Sequence, residues 1–251
     1  MTSVMGPARS TESLRDASAA ANARSSQRRD LIQWAHVTIV PAILLGWLAF
    51  TQVDNVTRNE VLFAASPSWP LAVEVVRDAL YGTFILGAAV ALVTSKRTRV
   101  RDVRGWVVAA SLTASFLLVG VGVLPAGPSV WSPSTDVTEI GLVITLLGAA
   151  LALIAFLSLG SNFSIVPEAR SLVVTGPYRW IRHPMYFAEL LMIAGFAVSG
   201  LRVTGVIGVV SVLGLQIYRI RVEERLLSTS FRGAHEEFVS RTRYRLLPLV
   251  W

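Results

Sequence analysis

Four stretches of this chain run for about the length of a bilayer crossing without a charge, and a fifth runs longer with only two. Gln33–Gln52, Ala79–Ser95, Gly105–Val123 and Ile140–Gly160 hold no Asp, Glu, Lys or Arg, and Met185–Tyr218 holds only Glu189 and Arg202. At 1.5 Å of rise per residue, about 20 apolar residues cross the roughly 30 Å of hydrocarbon. A buried helix of a soluble protein rarely runs so far without a charge. Composition agrees: 16% of the 251 residues are charged and 53% hydrophobic, whereas a soluble domain carries roughly 25% charged residues. The mean hydropathy is +0.57.

These stretches predict an all-α, polytopic membrane protein. The second segment reaches back to Leu71 through Glu74, Arg77 and Asp78. The last stretch is too long for one crossing, and Gly200 and Gly205 flank Arg202. Two shorter helices joined by a tight turn fit it better. The expectation is therefore about six membrane segments, the last two a helical hairpin, followed by a cytoplasmic C-terminal helix. Residues 1–30 are rich in Ser, Ala and Arg without an apolar run, and are expected to form a disordered cytoplasmic tail. They lack the apolar core and cleavage site of a signal peptide. Residues 31–156 then form a transmembrane scaffold of three segments and most of a fourth, and 157–251 a separate functional unit.

The net charge of +7 would point to nucleic acid in a soluble protein. Here the positions of the basic residues decide otherwise. Lys96, Arg97, Arg99, Arg101 and Arg104 crowd loop 95–104, and Arg170, Arg179 and Arg182 lie in segment 161–184. Further arginines follow Tyr218, whereas loop 125–138 has no basic residue and loop 53–70 only Arg58. This alternation places both termini, loop 95–104 and segment 161–184 in the cytoplasm, in keeping with a plasma-membrane protein. The excess Arg then serves topology and lipid headgroups, so no nucleic-acid partner is expected. There is no cysteine, which excludes disulfides, thiolate metal sites and a cysteine nucleophile. His36, His183 and His235 are far apart, so no metal site is expected. The lack of an internal repeat argues against a transporter of inverted halves.

The first half offers little chemistry. Glu74, Arg77 and Asp78 read as an interfacial helix start, and His36 beside Trp34 as an interface residue. The second half differs. From Gly160 the chain reads GSNFSIVPEARSLVVTGPYRWIRHPMYFAELL: an apolar helix stops, a polar loop follows, and His183–Pro184 opens the next helix. Proline suits a first helical turn, whose unpaired amides and positive dipole end attract an anion. Tyr186 and Glu189 are three apart and share a face. A carboxylate inside a membrane helix is expensive and marks a functional candidate; snorkelling to the interface is its structural alternative. Glu223 and Glu224 stand where a helix leaves the membrane, and by themselves read as a solvated face pairing with Arg219, Arg221 or Arg225. The hairpin returns the chain to the same membrane face, so this pair can lie beside His183 and Tyr186.

GPYRWIRHPMYFA followed by EERLL resembles the RHPxYxG…EExxL signature of the isoprenylcysteine carboxyl methyltransferases, shared with phospholipid methyltransferases. The ending FRGAHEEFVSRTRYRLLPLVW is similar to that family's tail, and the likeness covers roughly residues 157–251. The resemblance implies an S-adenosylmethionine-dependent methyltransferase with its cofactor pocket at the cytoplasmic face. It implies that His183, Pro184 and Tyr186, with Glu189 as a further candidate, line the cofactor's methionine side. Glu223 and Glu224 would meet its ribose or adenine, with Leu227 packed nearby. Arg179 and Arg182 are candidates for clamping a carboxylate acceptor; anchoring the loop to lipid phosphates is their other reading. Ala188 stands where the signature has Gly, Arg232 where the tail has Gly, and His235 and Phe238 where it has tyrosines. The implied acceptor is a prenylated cysteine carboxylate, a phospholipid amine or a small lipophilic acid, entering sideways between segments four and five.

Two other readings remain. An NADPH-dependent reductase of the steroid 5-alpha reductase type has a similar helix opening, RHPNYFGE, which Glu189 fits; Met185 at the Asn position and the paired glutamates do not. A non-catalytic membrane component would treat the same polar groups as structural.

Overall fold

A computed structural model describes residues 8–94, 104–123, 134–200, 203–247 and 250–251. Six α-helices account for nearly all of them: α1 (Ala8–Ala65), α2 (Trp69–Thr94), α3 (Gly105–Val123), α4 (Thr135–Leu159), α5 (Pro184–Gly200) and α6 (Val203–Arg241). No strand occurs among the described residues; a single parallel bridge joins Ile181 to Tyr244. Helices satisfy their own backbone hydrogen bonds, which lipid cannot do for them. Thr38–Ala65 of α1, α2, Thr135–Asn162 and α6 are long and apolar enough to cross a membrane, whereas α5 is a shorter apolar helix of 10–17 residues. The all-α membrane architecture thus stands; among the described residues four helices are long and apolar enough to cross a membrane, and Gly105–Phe116 of α3 and α5 are shorter apolar helices.

Two boundaries differ from expectation for one physical reason. α1 begins at Ala8, inside the stretch 1–30 expected to be disordered, and it continues through most of loop 53–70 to Ala65. Alanine is the best helix former, and no Gly or Pro interrupts Ala8–Val40. From Thr51 to Ala65 no helix breaker occurs either, and Arg58 pairs with Asp54 one turn back. The second helix of the terminal hairpin is also not short: α6 runs to Arg241, with a non-helical residue at Arg232 (φ 16°, ψ −106°) that separates its last turns. The turn at Arg202, most of loop 95–104, residues 124–133 and the side chains of Trp34 and His36 lie outside the described residues.

α4 sits at the centre, between α2 and α5; α1 lies against α2, while α6 packs on α5 and also carries α3. Small residues let α4 take this place. Ala149, Ala152 and Ala155 are buried along it. At Gly141, Gly148 and Gly195 an added Cβ would fall within 3 Å of backbone atoms of the facing helix. Without a hydrophobic drive between helices in lipid, such close approach is what holds them together. The outward faces carry Ile43, Phe50, Leu86, Leu147, Leu157 and Val210, all well exposed, as a lipid-facing surface requires.

Candidate active site

α4 is stopped by Gly160, which adopts a positive φ of 53° that glycine tolerates without strain. The segment that follows is polar in sequence yet folds back under the bundle, burying Phe163, Ile165, Val166 and Tyr178. Arg170 braces it, donating to Ser161 O at 3.0 Å and Phe163 O at 3.2 Å while pairing with Glu168 at 2.7 Å. Burial pushes the Tyr178 phenol well above its usual range, and Glu223 adds to the rise, so the group stays protonated.

The last residues of this segment are held by the chain end. Ile181 bridges to Tyr244, Arg182 N donates to Tyr244 O and His183 N donates to Arg245 O, both at 2.9 Å. Pro184 then starts α5. The amide of His183 is therefore already used, and the free amides at this helix start are those of Met185 and Tyr186.

The two halves of the sequence pattern meet here. Tyr186 Oη donates to Glu223 Oε2 at 2.7 Å. The His183 imidazole lies flat against the Tyr186 ring, centroids 5.4 Å apart, with Nδ1 3.8 Å from Glu223 and Nε2 3.7 Å from Glu224. Glu224 is further engaged by Arg182 Nε at 3.1 Å and by Arg245 Nε at 2.8 Å. Burial lowers the affinity of the Arg182 guanidinium for its proton, and the neighbouring Glu224 opposes that. Two adjoining clefts open on this cluster. One reaches Phe163, Met185 and Tyr186; the other reaches Leu227, His235 and Phe238; both are lined by Arg182, His183 and Glu223. Their inner volumes are only about 70 and 60 Å³, with Glu224 held between two arginines.

Of the residues singled out in the sequence, His183, Pro184, Tyr186, Glu223, Glu224, Leu227 and Arg182 thus fall together. Arg179 does not join them; it is exposed and lies over the Trp180 ring at 4.4 Å. Glu189 lies deeper, hydrogen-bonded by Gln216 and 3.7 Å from Arg219. Arg219 itself is 1% exposed; it stacks on Tyr186 at 4.5 Å and donates to Ile165 O at 2.8 Å and Gln216 Oε1 at 3.2 Å. It joins the Glu189 group to the Tyr186–Glu223 group, a role its sequence reading as a surface partner missed. The signal was present: Gln216, Arg219 and Glu223 are spaced three and four apart, one face of a helix. Arg245 had no such signal.

Fold and site together define a polytopic α-helical integral membrane protein with a buried ionic cleft at one end of its bundle. Residues 137–234 match the sequence model of the phospholipid methyltransferase family. The similarity to that family lies in this stretch, which is less than half of the chain. It runs from the start of α4 to just past the bend in α6, and so contains the candidate site residues except His235, Phe238 and Arg245. No curated protein matches the chain.

Proposed function

We propose that this membrane protein is a methyltransferase that uses S-adenosylmethionine to methylate a lipophilic acceptor, an isoprenylcysteine-type carboxylate or related lipid, at the cytoplasmic face of the plasma membrane. The observation that carries the reading is the convergence of His183 and Tyr186 from the start of α5 with Glu223 and Glu224 from α6 in one cleft. The side chains present suit such a cofactor. His183 Nε2 and Arg182 Nε are buried within ion-pairing distance of the buried Glu224 Oε1, but none of the three makes a hydrogen bond, and buried polar atoms left without one are costly unless something completes them. Carboxylates accept from a ribose diol, and the Met185 and Tyr186 amides at a helix start favour a carboxylate. The small clefts imply that Glu224 exchanges its arginine partners when a nucleoside enters.

The cofactor would supply an electrophilic methyl on a sulfonium, whose positive charge is neutralised on transfer. The protein's part is then positioning and exclusion of water more than acid–base chemistry. Glu223 and Glu224 bind, Tyr186 and His183 fix the direction of Glu223, and the buried wall of Phe163, Tyr178 and Phe238 keeps water out. Arg182, beside Glu224, is the better placed of the two proposed clamps for an acceptor carboxylate; Arg179 would have to leave Trp180. Within this reading residues 31–156 are scaffold and 157–251 the methyltransferase core, with both termini cytoplasmic as the arginine distribution supports.

The test is calorimetric titration of the purified chain with S-adenosylhomocysteine and, separately, NADPH. Saturable binding of S-adenosylhomocysteine, lost in Glu224→Ala and His183→Ala, is expected. Binding of NADPH alone, or of neither, overturns the proposal.

A further inference from the structure

A second cavity lies at the other end of the bundle, enclosed by α1, α2, α4 and α5. Its volume is about 690 Å³, several times that of the two clefts together and within the roughly 300–1,000 Å³ of ligand pockets. Ser199 lines it near the end of α5, about 22 Å along that helix from Pro184. The inner part is apolar, walled by Leu48, Leu142, Ala149 and Met192. The outer part is polar. Asp78, 6% exposed, accepts from Arg77 Nε at 2.7 Å and from Asn59 Nδ2 at 3.2 Å. Glu74, one turn earlier on α2, also lines the cavity and has no hydrogen bond or ion pair among the described residues. With Arg77 matched by Asp78, Glu74 is the charged group of this lining left without a partner among the described residues. Trp47 on α1 and Phe196 on α5 are 62% and 45% exposed while lining the same space, so its side mouth faces the lipid.

We propose that this cavity binds a lipid amphiphile with an ammonium head, at a site separate from the methyltransferase cleft. The chain occupies the apolar inner part and the ammonium pairs with Glu74 at the outer end. An anionic amphiphile would meet the unmatched carboxylate, and a neutral one would leave it half-buried and unpaired. An ammonium satisfies it. The separation along α5 places this head out of reach of methyl transfer at His183.

The full chain in phosphatidylcholine nanodiscs is titrated with bromoundecylamine, whose bromine quenches nearby tryptophan. The signal read is the quenching of Trp47, taken as the difference between the native chain and Trp47→Phe. Saturable quenching is expected, about tenfold weaker in affinity for Glu74→Gln or for bromoundecanoic acid, and abolished by Ala149→Phe. Unchanged thermal unfolding of Glu74→Gln shows that its fold is retained. Quenching that rises without saturation, as partition into bulk lipid gives, overturns the proposal. So does equal affinity for the amine and the acid, or a Glu74→Gln chain that binds like the native one.

Discussion

Replacing Gly195 by alanine tests whether the α4–α5 seam positions the site. An added Cβ there lies 2.6 Å from Gly141 O and 2.6 Å from Thr145 N, and also meets Thr145 Oγ1. Two of these neighbours are backbone, so no rotamer change relieves them. Ordinary carbon contacts lie near roughly 3.5 Å, so the seam must open by roughly 1 Å. Overpacking of this kind costs about 1–3 kcal/mol. The better helix propensity of alanine returns up to about 1 kcal/mol. The net expectation is a loss of about 1–2 kcal/mol, or about 3–6 °C in Tm for a chain of this size. α5 also carries Tyr186, so S-adenosylhomocysteine affinity should fall as the Tyr186–Glu223 bond lengthens. The control is Gly214→Ala in α6, where an added Cβ meets nothing within 4 Å; it should hold or gain stability. Thermal unfolding in one detergent compares the two. A Gly195→Ala chain that unfolds at or above the temperature of Gly214→Ala refutes the reasoning, because the seam would then yield without cost.

Tyr186→Phe removes a hydrogen bond to a carboxylate, a class worth about 1.5–3 kcal/mol, but Glu223 is 25% exposed and water replaces part of it. Calorimetry should show S-adenosylhomocysteine binding about tenfold weaker; no change would remove Tyr186 from the site. Arg219→Met strands the Glu189 carboxylate in a buried setting, at a cost of about 3–5 kcal/mol, and adding Glu189→Gln should restore most of the lost Tm. A double variant no more stable than the single one would show that the two residues are not coupled. Arg245→Gln frees one oxygen of Glu224 from a partner that is 41% exposed, a pair worth about 1 kcal/mol or less. S-adenosylhomocysteine affinity should then rise by about two- to fivefold; a fall would mean that Arg245 helps to hold the nucleoside.

The sequence by itself determined the class of fold, because charge is so costly in hydrocarbon that its absence over whole segments leaves little choice but membrane helices. Gly160 and Pro184 likewise marked where α4 stops and α5 starts, since each acts on its own backbone. His183 with Tyr186, and the adjacent glutamates of α6, were legible as chemistry because they lie on short local spacings. Helix ends set only by the lack of a breaker, at Ala8 and Ala65, were harder to read: polar composition does not by itself end a helix. Tertiary structure alone decided which ions meet. Arg219 joins Glu189 to Tyr186 across two helices, Arg245 returns from the chain end to Glu224, and Arg179 turns outward onto Trp180. Those pairings depend on how α5 and α6 pack and where the last residues cross, and no local spacing encodes that.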